Sequence, residues 1–222
     1  VLFCIVGELG SGKTLVLTYL AFINHFKKKR KIFSNYNFYG FPFTKIDSLP
    51  DLDQMKEGFF AGDELWLWVD SRTTRDKRNQ IVSSILLKSR KRDITIAYTS
   101  QSLHQVDKRI KDITDFVAYP MMSPDNLFCR VEIFHGSKPS SANRMKPPMY
   151  FLCEPVYAMF NTYEEVKVID KESNDQYIEQ NIPIHHNPAW IKYLHEKGIT
   201  SNLAMLKYSE KIQKIIETGQ LI

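Results

Sequence analysis

Cysteine is scarce. The three that occur, Cys4, Cys129 and Cys153, form no C-x-x-C pair and no cluster with histidine. That excludes a disulfide framework and a zinc site, and the expectation is three reduced thiols in a cytoplasmic protein. The pair His185–His186 has no partner at ligand spacing and reads as solvated loop. Long apolar runs are missing too. No stretch reaches the roughly 18 residues of a membrane-spanning helix. The longest candidate, Leu15 to Phe26, is interrupted by Thr18 and Asn24. No basic region precedes Val1 and Leu2, so no secretory leader is expected. Repeats and low-complexity segments are absent. Charge of one sign is not in large excess: the net value of +5 permits binding to a polyanion without requiring it.

What is present is an ordinary globular composition, 43% hydrophobic and 25% charged, on a chain of 222 residues. That is enough to bury one α/β core with a small appendage. Within it, Gly7-Glu8-Leu9-Gly10-Ser11-Gly12-Lys13-Thr14 fits G-x-x-x-x-G-K-[ST]. An apolar run, Val1 to Val6, comes before it and a helical run from Leu15 to Phe26 comes after. Strand, glycine loop and helix together are the context a phosphate-binding loop needs. Glycines let backbone N–H groups turn toward phosphate oxygens, and the helix N-terminus adds a favourable dipole. Gly7, Gly10, Ser11, Gly12, Lys13, Thr14 and Leu15 are the candidate nucleotide contacts. Lys13 would reach the β- and γ-phosphates of ATP, and Thr14 would hold Mg²⁺ through its hydroxyl.

The second motif is Gly58-Phe59-Phe60-Ala61-Gly62-Asp63-Glu64, an apolar strand ending in two acids. Downstream of a phosphate-binding loop it reads as a Walker B element: Asp63 for Mg²⁺ through water, Glu64 as the base that polarises the attacking water. Asp93 to Gln101 is a further strand with a polar tip, and Gln101 is the candidate sensor of the γ-phosphate.

Other elements emerge from pattern. Lys31 to Tyr36 reads as a strand, and Asp51 to Glu57 as a short helix. Asn79 to Lys91 reads as an amphipathic helix, with Ile81, Val82, Ile85 and Leu86 on one face. Leu103 to Ile113 reads as a short helix. Phe116 to Tyr119, Leu127 to His135 and Met149 to Cys153 read as strands. Phe38, Tyr39, Phe41 and Phe43 suit core packing better than base stacking. The cation run Lys27 to Lys31 suits a solvated helix end or, more sharply, a nucleic-acid contact. Gly136 to Pro148 is a basic loop with Lys138, Arg144 and Lys146. After Tyr163 the chain turns polar, with a loosely ordered stretch expected over Asp170 to Asn181. Two helices come next, the first opened by Asn187-Pro188. Domain bounds are expected at 1–163 for the core and 164–222 for a C-terminal helical extension.

Beyond these readings, the sequence resembles a known family. The stretch Gly7 to Val16 resembles the opening of the filamentous-phage gene I assembly protein and of the zonular occludens toxin family. So does Lys31-Ile32-Phe33-Ser34-Asn35, with an Asn closing the second strand. Asp63-Glu64, Trp68 and Asp70-Ser71-Arg72 continue in register, then Ser89-Arg90-Lys91, Gln101 and Val106-Asp107-Lys108-Arg109. The resemblance covers roughly residues 1–120. It implies an additional-strand P-loop NTPase of the RecA/FtsK–HerA kind, with a mostly parallel sheet flanked by helices. It also implies a homo-oligomeric ring, usually hexameric, in which an arginine completes the neighbour's site; Arg72, Arg90 and Arg109 compete for that role. Viral genome-packaging ATPases belong to the same group. The expected function is an ATP-hydrolysing motor acting on double-stranded DNA without sequence preference, with a capsid, portal or coat protein as further partner. The alternative is a membrane-associated virion assembly factor. Members of that kind carry a membrane-spanning helix after the ATPase domain, and this chain shows none, which favours the DNA motor. A small-molecule or nucleotide kinase is the third reading, weakened by the acids that end the strand at Asp63.

Overall fold

The computed structural model describes residues 1–68, 84, 87–106, 108–167, 169 and 178–219. Strand β1 (Leu2–Val6) is apolar at every position because both its faces are covered. Leu2, Cys4 and Val6 enter one core, while Ile5 enters the other. The parallel strands around it are β2 (Lys31–Ser34), β3 (Phe43–Lys45), β4 (Gly58–Gly62), β5 (Ile94–Ser100) and β6 (Phe116–Met122). Antiparallel strands β7 (Phe128–His135) and β8 (Met149–Leu152) extend one edge, and β9 (Glu179–Gln180) closes the other. The order across the sheet is β8-β7-β6-β1-β5-β4-β2-β3-β9. Strand β5 therefore lies between β1, which leads into the glycine loop, and β4, which ends at Asp63.

One face of the sheet is covered by α1 (Lys13–Phe26), α4 (Cys153–Tyr157), α5 (Pro188–Glu196) and α6 (Asn202–Thr218). Leu17, Phe22, Phe59, Trp190, Leu194 and Ile216 meet in that core. The opposite face is closed by α2 (Leu49–Gln54), a 3₁₀ turn over Leu65–Leu67 and α3 (Lys108–Asp112), which bury Leu52, Leu65 and Ile110. Ser48 caps α2 by accepting from the Asp51 N–H, with Pro in the first turn. Phe38, Tyr39, Phe41 and Phe43 are buried, so the aromatic run after β2 is core. All three cysteines are free and buried. None of the helices among the described residues is long and apolar enough to cross a membrane.

Two expectations change, the first being the helix read over Asp51 to Glu57, which lies earlier, at α2. The helix read over Leu103 to Ile113 shrinks to α3. Its first half is a turn instead, in which the Ser102 hydroxyl accepts from the His104 N–H and Gln105 N–H donates to the Ser102 carbonyl. A serine that bonds its own backbone offers the chain an alternative to helix. The helix expected over Asn79 to Lys91 falls mostly outside the described residues; Ser84 and Leu87 are helical, and Ser89–Arg92 is a 3₁₀ turn. The loose stretch read from Asp170 also lies largely outside them, apart from β9.

The C-terminal helices share the main core. Trp190 is 1% exposed, stacks on Tyr193 and donates its indole N–H to the Ser209 hydroxyl. Trp190→Ala is expected to destabilise the whole chain by about 3–5 kcal/mol. Chemical denaturation should show one transition shifted to lower denaturant, not a separate early step confined to α5 and α6.

Candidate active site

The C-terminal ends of β1, β2, β4 and β5 converge on one edge of the sheet, and the site is built from the segments that leave those strand ends. After β1 comes the glycine loop. A Cβ at Gly7 would come within 2.4 Å of the Ser11 hydroxyl and 3.1 Å of Ser11 Cβ, so a side chain there would crowd the loop. Gly12 sits at φ +90°, and a Cβ there would also meet Met122 Sδ at 2.9 Å. The loop leads into α1, whose first turn carries no capping side chain and no acid. Its leading N–H groups are thus open to an anion. The Ser11 hydroxyl is buried without a hydrogen-bond partner. Lys13 Nζ donates to the Glu8 carbonyl at 2.8 Å, folded over its own loop. Burial lowers the Lys13 pKa, and the nearby Asp63 and Glu64 charges oppose that shift.

Asp63 is the hub. Its Oδ2 accepts from the Thr14 hydroxyl at 3.0 Å and its Oδ1 from the Thr99 hydroxyl at 2.6 Å. Its backbone is clamped by Asn35, which donates Nδ2–H to the Asp63 carbonyl and accepts the Asp63 N–H on Oδ1, both at 2.8 Å. Segments from α1, the end of β2, the end of β4 and β5 therefore meet at one residue. Burial raises the Asp63 pKa; the hydroxyls of Thr99 and Thr14 pull it back, Glu64 adds to the rise and Lys13 opposes it. Glu64 occupies the left-handed region at φ 45°, and its N–H donates to Thr99 Oγ1 at 2.7 Å. The Asp63 carboxylate and the Thr14 hydroxyl present oxygen donors side by side, the set a magnesium ion takes.

A cleft of about 700 Å³ opens over these groups. One end is lined by Gly10, Gly12, Lys13, Thr14, Asp63 and Glu64. It runs on past Leu15 to Met122 and Asn126 of the β6–β7 hairpin and to Tyr157, Phe160 and Thr162 beyond α4. The volume suits a nucleoside triphosphate. Glu164 also lines it, held by Lys45 Nζ at 2.7 Å and by the Asn37 N–H.

Among the sequence candidates, the structure brings Gly10, Gly12, Lys13, Thr14, Leu15, Asp63 and Glu64 together, with Ser11 in the same loop. Gln101 lies one residue past β5 at the same edge, exposed and not lining the cleft. Arg90 is at the far end of the sheet, bonded to Asp115 at 2.6 Å. Arg109 is exposed on α3, and Arg72 lies outside the described residues. Sequence reading missed Thr99, the residues from Asn126 to Glu164 and the structural role of Asn35. Thr99 and Asn35 carried a local signal, each as a polar residue near the tip of a strand.

A glycine loop after β1, acids after β4 and a strand inserted between them define an additional-strand P-loop NTPase fold. The solved structures agree on the fold: the chain is similar to the N-terminal domain of zonular occludens toxin from Neisseria meningitidis. The two are 18% identical with a TM-score of 0.54, over 72% of this chain and 98% of that one. A weaker likeness is to the genome packaging NTPase B204 of Sulfolobus turreted icosahedral virus 2, in complex with ATP-γS. It has 10% identity and a TM-score of 0.46 over 67% and 98% of the two chains. No protein-family model matches the chain, and no curated protein matches it by sequence.

A divalent cation held by Thr14 and Asp63 would require the carboxylate form of Asp63. Because burial raises its pKa, Mg²⁺ affinity should fall, as pH drops, sooner than for an ordinary carboxylate. Thr99→Val removes a donor that favours the charged form and should move that loss to still higher pH, while Thr99→Ser should not. A pH series of Mg²⁺ titrations on the three proteins checks this; superimposed curves would remove Thr99 from the role.

Proposed function

We propose that the chain is an ATP-hydrolysing motor that packages or translocates viral or mobile-element DNA. The observation that carries the hydrolysis part is Asp63–Glu64 placed beside Thr14 and Thr99 at the mouth of the glycine loop. A kinase would need to exclude water, whereas here a second carboxylate, Glu64, lines the phosphate end of an open cleft.

In this reading each site residue has a role. The backbone from Gly10 to Thr14 and the unpartnered Ser11 hydroxyl receive phosphate oxygens. Lys13 exchanges its bond to Glu8 for the β- and γ-phosphates. Thr14 and Asp63 would hold Mg²⁺, which supplies charge neutralisation to the phosphates. Glu64 orients the attacking water and takes its proton. Gln101, one residue past β5 and outside the cleft lining, would have to turn inward to read the γ-phosphate. In a ring, Arg72, Arg90 or Arg109 would come from the adjacent subunit to offset transition-state charge. Arg90 sits at the far end of the sheet from its own glycine loop, so it could serve only a neighbour, and only by leaving Asp115. Support for DNA as the driven partner is the resemblance running from Gly7 to Arg109 in motif order, together with the net positive charge. A capsid, portal or coat protein as the docking partner belongs to the same reading.

Lys13→Ala is expected to abolish nucleotide binding, and Glu64→Gln to keep binding while turnover falls by about 10²–10⁴. Steady-state hydrolysis and equilibrium binding of an ATP analogue separate the two; normal turnover in E64Q would remove the base assignment. Duplex DNA should stimulate wild-type hydrolysis at low salt and lose that effect as salt rises. Absence of stimulation at low salt would leave the ATPase and sink the DNA motor.

A further inference from the structure

The net charge is not spread evenly. Segments 27–31, 88–93 and 136–146 hold twelve of the 30 Lys and Arg residues against a single acid, Asp93. In sequence they are far apart. In the fold they lie in one row, at the edge of the sheet opposite the glycine loop. Segment 27–31 joins the end of α1 to the start of β2. Segment 88–93 leads into β5, and 136–146 comes after the end of β7. Cross-links show that they are neighbours: Arg30 Nη1 donates to Thr95 Oγ1 at 2.7 Å, Arg90 pairs with Asp115, and the Gly136 N–H donates to the Asp115 carbonyl at 2.7 Å.

Most acids at this edge are taken up, Glu57 just before β4 being an exposed acid with no ion pair to a described residue. Asp93 pairs with Arg30, Asp115 with Arg90 and Asp53 with Arg92. The exposed lysines are what is left over. Lys27, Lys28, Lys29 and Lys31 at one end, Lys88 and Lys91 in the middle, and Lys138 and Lys146 at the other make no ion pair with any described residue. The row crosses the strands from β2 to β8, six spacings or about 30 Å. That is close to one turn of duplex, about 34 Å. The opposite edge has the reverse character, with Asp63, Glu64, Glu164 and Glu165 lining the cleft.

We propose that this lysine row, at the edge of the sheet opposite the nucleotide cleft, is the surface that binds the phosphate backbone of double-stranded DNA. The inference deepens the motor reading and rests on it. Unpaired lysines on separate segments, without a groove to read bases, match backbone contact without sequence preference. An anionic bilayer would be the other polyanion. Against it, Val1, Leu87 and Met145 are the exposed large apolar residues in or beside the row among those described, each on a different segment. Met121, Phe128, Tyr150 and Leu152 gather instead on β6–β8. DNA held on this edge also stays clear of the acidic cleft, where it would meet like charge.

The test is binding of a labelled 30-base-pair duplex by fluorescence anisotropy across a salt series, with the full chain. Two variants reverse charge at opposite ends of the row, Lys27→Glu/Lys28→Glu and Lys138→Glu/Lys146→Glu. A third, Lys207→Glu/Lys211→Glu on α6, makes the same change in net charge elsewhere. Basal ATPase rate without DNA verifies folding in all of them. Each row variant should weaken binding at low salt by tenfold or more. Each should also flatten the slope of log affinity against log salt by about 2, roughly 0.9 per lost phosphate contact. The α6 variant should do neither. If wild type binds duplex and the row variants match it, this surface is wrong while the motor reading stands. If wild type binds no duplex at low salt, both fall. Binding to phosphatidylserine vesicles but not to duplex, lost in the row variants, would reassign the row to a membrane and overturn the proposal.

Discussion

Everything at the nucleotide edge depends on how one carboxylate is held. Asp63 sits where the chain leaves β4, and four elements reach it: Thr14 from α1, Asn35 from the end of β2, Thr99 from β5 and its own strand. A buried carboxylate with too few donors would neutralise itself by taking up a proton. Here two hydroxyls stabilise the charged form, while Asn35 satisfies the backbone N–H and C=O that a strand end leaves unpaired. Removing Asn35 would orphan both groups at once, a cost of about 1–3 kcal/mol for each that stays buried. The glycine loop, the acids and the inserted strand are thus one hydrogen-bonded unit.

That unit explains which parts are legible in the sequence. The glycine loop is a contiguous motif whose residues act on each other, so Gly7 to Thr14 can be read directly. Asp63 and Glu64 are readable because strand ends and acids are local. The sheet core is readable as well, since β1 and β4 are apolar on both faces. Thr99 is hidden behind the more conspicuous Gln101 because its importance is a matter of register: Gly62 pairs with Tyr98, which puts Asp63 level with Thr99. No periodicity within β5 could show that. The far wall of the cleft is invisible for a similar reason. Asn126, Tyr157 and Glu164 come from a hairpin, a helix end and a loop whose only common feature is where the fold delivers them. The short helix before β6 looks longer in sequence than it is, because apolar spacing does not register the His104 N–H donating to the Ser102 hydroxyl.

The distribution of charge adds a constraint that composition conceals. A net +5 hides where the charge lies, with cations gathered at one edge and four acids lining the cleft at the other. A parallel sheet separates the two without any special device. All its parallel strands point the same way, so residues that come after strands collect at one edge and residues that precede them at the other. Whatever binds at the lysine edge is connected to the nucleotide by the strands themselves.

Strand β5 is the direct connection. It begins beside Asp93, which Arg30 holds, and ends near Thr99, whose hydroxyl donates to Asp63 and accepts from the Glu64 N–H. Glu64 stays in the left-handed region, a conformation that costs a non-glycine residue about 1 kcal/mol or more. It is kept there by that N–H bond on one side and by the buried turn of Leu65 and Trp68 on the other. A small shift of β5 along its axis would move the acceptor away from Glu64 and the donor away from Asp63 together. Glu64 and the Asp63 carboxylate are therefore coupled through a single hydroxyl, and the strand that carries it spans the sheet from the basic edge to the site.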